Sequence, residues 1–235
     1  MKNFKFLAIV MSLAIVLSGC SMSNTAKGGL IGAGGGAVLG AVVGKLAGNT
    51  AIGAAIGTAV GAGTGAIIGN RMDKAKKAAE AVANAQVESV TDANGLQAVK
   101  VTFDSGILFA TGKSTLSSTA TSSLSQFATN VLNTNTDMNV AIQGYTDNAG
   151  WKNCTAAQST AKNQTLSLER ANAVSSYLKN SCGVASSQIA SVEGLGESNP
   201  VADNSTEAGM AQNRRVEIYL YASEAMIQAA QAASN

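Results

Sequence analysis

Between residues 28 and 70, glycine recurs on a fixed period. It stands at 32, 36, 40, 44 and 48, and again at 53, 57, 61, 65 and 69. A four-residue period puts all of these on nearly one face of a helix. Between them lie Ala, Val, Ile and Leu, and Lys45 is the sole charge before Arg71. In water each glycine costs a helix about 1 kcal/mol relative to alanine. In lipid, backbone groups must be satisfied internally, and small residues let helices approach closely. The pattern predicts a helical hairpin over 28–70, turning at Gly48-Asn49-Thr50. At about 1.5 Å per residue, arms of about 19 residues reach about 28 Å, close to a bilayer core. Lys45, near the end of the first arm, can snorkel to an interface. The alternative is a flexible Gly/Ala-rich linker, but such linkers are usually polar and lack a period.

After residue 70 the pattern changes. Residues 71–96 read as a connector, opening on the basic cluster Arg71-Met72-Asp73-Lys74-Ala75-Lys76-Lys77. This cluster either meets anionic headgroups or is a solvated helix face. The Ala-rich run predicts helix to about Val87, then a short strand at Glu88–Thr91 and a turn at Asp92-Ala93-Asn94-Gly95.

From residue 97 to 222 the apolar spacing alternates between the two structural periods. Val99, Val101 and Phe103 mark a half-buried strand. Leu116, Ala120, Leu124, Phe127 and Val131 predict a helix over 114–132. Val140, Ile142 and Gly144 give a second strand, and Ala171, Val174 and Leu178 a second helix over 163–179. Ile189–Gly194 and Arg215–Tyr221 add two strands. The expected class is α+β, with βαβαββ order and helices packed on a mixed sheet. Residues 223–235 fit either a short surface helix or a frayed tail.

One stretch of this domain carries opposed charges. Gly144-Tyr145-Thr146-Asp147-Asn148-Ala149-Gly150 ends a strand, and Asn163-Gln164-Thr165-Leu166-Ser167-Leu168-Glu169-Arg170-Ala171 lies in the following helix. A carboxylate can hold an ammonium, and a guanidinium fork can hold a carboxylate through two parallel hydrogen bonds. Asp147 and Arg170 together suit a small zwitterion such as the free end of an amino acid. On the two charges alone, a plain Asp–Arg salt bridge is the simpler reading.

The surrounding residues bear on that choice. G-Y-T-D-N-x-G followed by N-x-x-L-S-x-x-R-A resembles the signature of the OmpA-like peptidoglycan-binding domain of OmpA, Pal and MotB proteins. The resemblance continues in Gly194-Leu195-Gly196-Glu197-Ser198-Asn199-Pro200 and in Gly209-Met210-Ala211-Gln212-Asn213-Arg214-Arg215-Val216-Glu217-Ile218. It implies non-catalytic binding of the diaminopimelate in peptidoglycan stem peptides, with Asp147 on the ammonium and Arg170 on the carboxylate. It also implies that Asp104 lines the groove, that Thr146 and Asn163 bond the stem, and that Arg214 belongs to the site. Arg215 reads better as a structural ion pair. Caps and turns also use Asp, Asn and Thr, so a structural role is open for each of these.

Two positions depart from the family pattern. Trp151 to Lys162 is longer than the usual spacing and is expected to stand beside the groove as a lid or a selector of stems. Met210 replaces a common basic residue.

Residues 1–19 read as a targeting segment. Lys2 and Lys5 precede an apolar run, Phe6 to Leu17, that is too short for a comfortable span. Leu17-Ser18-Gly19-Cys20 resembles a bacterial lipobox, which implies an acylated Cys20 at the head of a tether over 20–27. Ser21 in the next position implies sorting to the outer membrane, with the C-terminal domain in the periplasm. The 28–70 repeat resembles the glycine-zipper two-helix segments of envelope proteins, which implies contact with the lipid bilayer and raises the option of a homo-oligomeric scaffold or pore-like assembly.

Cys154 and Cys182 remain as a pair, and an oxidising compartment invites a disulfide. They flank the second helix, about 25 Å long at about 1.5 Å per residue. A bridge needs Cα atoms within about 7 Å, so the insertion would have to fold back along that helix.

Other classes fit less well. Past residue 19 the chain has 14 basic and 14 acidic residues, which gives no electrostatic footprint for nucleic acid. It has no histidine, no paired cysteines at metal spacing, no G-x-S-x-G and no P-loop. No enzyme, cofactor or metal is expected.

Overall fold

The computed structural model describes residues 62–91 and 97–234. Helix α1 spans Ala62–Glu80, strand β1 Ala85–Thr91 and strand β2 Gln97–Asp104. A short helix α2 covers Ser105–Leu108, and α3 covers Ser118–Phe127, running into a π-helical turn at Ala128–Leu132. Next come β3 at Met138–Gly144, α4 at Ala156–Asn180 and β4 at Ile189–Gly194. Helix α5 at Glu207–Asn213, β5 at Arg215–Ala222 and α6 at Glu224–Ser234 complete the chain. The strands form one sheet in the order β1-β2-β5-β3-β4. All neighbours are antiparallel except the parallel pair β3–β4. From β2 onward the principal elements follow the expected βαβαββ order.

Helix starts follow the side chains that satisfy their free amides. The Ser117 hydroxyl accepts from the Ala120 amide (3.0 Å) at α3. At α4, Thr155 and Gln158 form a reciprocal capping box, satisfying two otherwise unpaired donors. This box starts α4 seven residues before the expected Asn163. Most of the segment read as an insertion is therefore two extra helical turns, and the loop is confined to residues 151–155.

The helices and one sheet face share a single apolar core. Val99, Val101 and Phe103 of β2, Val140 and Ile142 of β3, and Val216, Ile218 and Leu220 of β5 meet Leu124, Phe127, Val174 and Leu178. Phe103 and Phe127 pack edge to face, with centroids 6.0 Å apart. Ile68, Met72, Ala75 and Ala79 of α1 and Met226, Ile227 and Ala230 of α6 belong to the same core.

Residues 62–91 and 224–234 therefore pack with the domain expected at 97–222. Helix α1 stops at Glu80 rather than near Val87. The chain turns through Asn84 at φ 63°, and Ala85–Thr91 pair along their whole length with β2. Pairing in the sheet overrides the helix propensity of the Ala-rich run. The C-terminal segment is the helical alternative. Of the expected hairpin, residues 62–70 are helical, with Thr64 and Ile68 buried and Gly65 exposed. The rest of the hairpin, the targeting segment, Cys20 and the 92–95 turn lie outside the described residues. No described helix is long and apolar enough to cross a membrane.

The opposite sheet face carries a buried polar cluster. Arg215 donates from Nε to Glu217 Oε1 (2.7 Å), and Tyr219 donates its hydroxyl to Glu217 Oε2 (2.5 Å). The Arg215 guanidinium lies 3.7 Å from the Tyr145 ring centroid. Arg215 thus forms the structural ion pair expected of it.

Candidate functional site

The chain leaves β3 at Gly144 and enters the loop 145–155, which leads into α4. This loop, α4 and the segment after β2 enclose an open cleft of about 510 Å³. Two glycines let α4 sit against the strand ends. A Cβ on Gly144 would overlap the Ser167 carbonyl oxygen, and one on Gly194 would overlap the Leu168 amide. On α4, Asn163, Leu166 and Arg170 recur at helical spacing and line the cleft together, as neighbours on one helix face do.

Arg170 is only 4% exposed. Its Nε donates to the Lys113 carbonyl (3.0 Å), and its guanidinium lies 5.2 Å from the Phe109 ring centroid. Among the described residues, its two terminal nitrogens have no hydrogen-bond or ion-pair partner. Burial lowers the Arg170 pKa from its ordinary value, Asp147 offsets this in part, and Arg214 adds to the lowering. An arginine stays charged at neutral pH regardless.

Asp147 is 7% exposed. Its Oδ1 accepts from the Ala149 amide (3.1 Å), and its Oδ2 accepts from Arg214 Nη1 (2.6 Å). Arg214 also donates from Nη2 to Glu207 Oε1 (2.7 Å). The salt bridge that Asp147 makes is therefore with Arg214 and not with Arg170. Burial alone would lower the Arg214 pKa, but its hydrogen bonds to Glu207 and Asp147 leave it raised. Lys152 also lines the cleft, so three cationic side chains face two carboxylates there.

Of the expected site residues, Asp147, Arg170, Thr146, Asn163 and Arg214 all line this cleft, and Asp104 does not. Asp104 caps α2, its Oδ1 accepting from the Gly106 amide (2.5 Å), while Ser105 and Gly106 reach the wall. Asn163 has the structural role. Its Nδ2 faces the Asp147 carbonyl (3.4 Å), the Ala149 carbonyl (3.3 Å) and Glu197 Oε2 (3.2 Å), and its Oδ1 accepts from Trp151 Nε1 (2.7 Å). With these bonds the amide fastens the 147–151 loop to α4. Thr146 is buried, and its hydroxyl has no partner among the described residues.

Cys154 and Cys182 are both free. They flank α4, whose 25 residues extend about 37 Å at about 1.5 Å per residue. The loop does not fold back, because the capping box commits residues after Thr155 to the helix.

Sequence reasoning did not single out Phe109, the Lys113 carbonyl, Glu207 or Glu197. The last two carried a signal, since each sits in a motif block already quoted or beside one. Phe109 and Lys113 lie in an irregular segment without a periodic pattern.

Residues 108–214, which hold most of this cleft, match the model of the OmpA family. They form an OmpA-family domain. Residues 1–73 match the YMGG-like Gly-zipper, over the stretch that holds the glycine period. The chain is 49% identical over 82 residues to the peptidoglycan-binding protein ArfA of Mycobacterium tuberculosis, covering 35% of this chain and 22% of ArfA. It is 51% identical over 79 residues to outer membrane porin F of Pseudomonas fluorescens, covering 34% of this chain and 21% of the porin. The chain thus matches about a fifth of the length of these relatives. A MotB-like protein from Desulfovibrio vulgaris shares the fold, with a TM-score of 0.55 and 22% identity over 68% of this chain and 94% of that one.

Proposed function

We propose that this protein is a non-catalytic envelope lipoprotein whose OmpA domain binds the diaminopimelate-containing stem peptide of peptidoglycan. Asp147 receives the ammonium and Arg170 the carboxylate of that residue. Acylated Cys20 and the glycine-zipper segment hold the outer membrane, so that the chain tethers membrane to wall. The observation that carries this reading is Arg170. A buried guanidinium, fixed through Nε and leaving two terminal nitrogens without a described partner, is preorganised for a planar carboxylate. The carboxylate of Asp147 lies in the same cleft. The name of ArfA, a peptidoglycan-binding protein, supports the same ligand class.

The test is titration of the full chain, in detergent, with a stem tripeptide carrying meso-diaminopimelate, against the same peptide carrying lysine. Lysine keeps the ammonium and lacks the carboxylate, so the lysine peptide should bind at least about tenfold more weakly, corresponding to about 1.4 kcal/mol. Equal binding of the two peptides would remove Arg170 from the proposed role.

The glycine-zipper match over residues 1–73 favours one further reading. Self-association of that segment would make the protein an oligomeric scaffold, and wall binding can coexist with it. Oligomers that survive mild detergent and ignore Asp147→Ala would support this reading.

A further inference from the structure

Asp147 and Arg214 form a salt bridge within the cleft. With Oδ1 occupied by the Ala149 amide, Oδ2 is the oxygen that faces a cation, and Arg214 Nη1 already sits on it at 2.6 Å. An arriving ammonium therefore meets a carboxylate already neutralised by an internal cation.

The two arginines of the cleft differ in freedom. Arg170 is buried and fixed by the Lys113 carbonyl. The Arg214 side chain is 30% exposed, and the side chain of its second partner, Glu207, is 75% exposed. Arg214 is thus the more exposed of the two, and its second partner lies on the solvent side.

Resting on the proposed ligand reading, we infer that Glu207 is a positioning residue: it holds Arg214 when a ligand ammonium takes Arg214's place on Asp147. Without Glu207, the guanidinium has Asp147 as its one carboxylate partner and competes harder with the ligand. The cleft would then discriminate by the ammonium, because a ligand with carboxylates alone leaves the Asp147–Arg214 pair closed.

The experiment is a double-mutant cycle on the full chain in detergent, comparing the parent, Glu207→Gln, Arg214→Ala and the double variant. Each is titrated with free meso-diaminopimelate, with circular dichroism to check folding. Glu207→Gln should weaken binding about threefold to fivefold in the parent, the scale of an exposed ion pair, and should change nothing in the Arg214→Ala background. A merely structural role for Glu207, such as favouring the start of α5 by its charge, would cost the same in both backgrounds and would overturn the inference. So would an unchanged affinity in Glu207→Gln, which would leave the Asp147–Arg170 reading intact. A folded parent that does not bind at all would overturn both. Pimelate, which has the same chain with two carboxylates and no ammonium, supplies a second readout. Any pimelate binding should be insensitive to Glu207→Gln, and an equal loss would contradict the inference.

Discussion

Gly144 and Ser167 touch backbone to backbone, with no room for a side chain between them. A Cβ on Gly144 would come within 3.0 Å of the Ser167 carbonyl carbon and closer still to its oxygen. Asp147 follows Gly144 by three residues, and Arg170 follows Ser167 by three. One close approach of β3 and α4 therefore sets the spacing of the two charged groups.

Gly144→Ala should for that reason damage both stability and binding. The obstacle is main chain rather than a flexible side chain, so α4 has to shift. Overpacking of this kind costs about 1–3 kcal/mol. Calorimetric unfolding should show the loss, and affinity for diaminopimelate peptides should fall with it. A variant of unchanged stability would show that α4 can move freely over β3.

Asn163→Ala should release the 147–151 loop. The amide's partners include Trp151, the single tryptophan of the chain, so indole fluorescence reports the change directly. The Trp151 indole also carries the Lys162 ammonium 5.4 Å from its ring centroid, a contact that depends on the same loop position. The emission should shift to the red, and stability should fall by about 1–3 kcal/mol as buried polar groups lose partners.

Acid should weaken the fold through the cluster behind the sheet. Burial pushes the Glu217 carboxyl upward, but the charges of Arg215 and Lys100 and the hydrogen bonds from Tyr219 and Arg215 outweigh it and hold its pKa below the ordinary value. A depressed folded pKa contributes stability that is present above the unfolded value, about 4.3, and is lost as pH falls through the folded one. Unfolding free energy should therefore drop below about pH 4.3, and Glu217→Gln should lose that component. At neutral pH the same variant leaves Arg215 without its carboxylate. Removing one partner of a buried pair costs about 3–5 kcal/mol, measurable by urea unfolding.

Both Cys154 and Cys182 should be alkylated without prior reduction, since the two flank α4 and neither is bridged. Mass spectrometry of the folded protein in oxidising buffer decides this. A mass two units short, restored by a reductant, would show a disulfide and contradict the described path of residues 151–155.

The strands and the main helices of this domain were legible because their apolar residues keep a simple period. Ile189–Gly194 matches its expected span, and Val174 and Leu178 lie in the core as the helical spacing requires. Three features were less legible. Ala85–Val87 read as helix locally and are strand, ahead of the strand expected at Glu88–Thr91, because β2 offers partners along all seven residues of β1. The first turns of α4 are polar and are carried by a capping box rather than by a stripe. In the site, the motif residues identify the cleft but not the division of labour within it. Asn163 and Asp147 are equally conspicuous in the sequence, yet one fastens a loop and the other faces a cation. The start of β5 at Arg215 was legible, but that Asp147 pairs with Arg214 rather than Arg170 is a long-range relation that no local pattern encodes.

The most direct test is co-sedimentation of the full chain with purified peptidoglycan sacculi, beside Asp147→Ala and Arg170→Ala, with folding checked by circular dichroism. The parent should pellet with the sacculi, and both folded variants should remain largely in the supernatant. Pelleting of either folded variant as completely as the parent would contradict a site built on those two residues, as would a folded parent that does not bind.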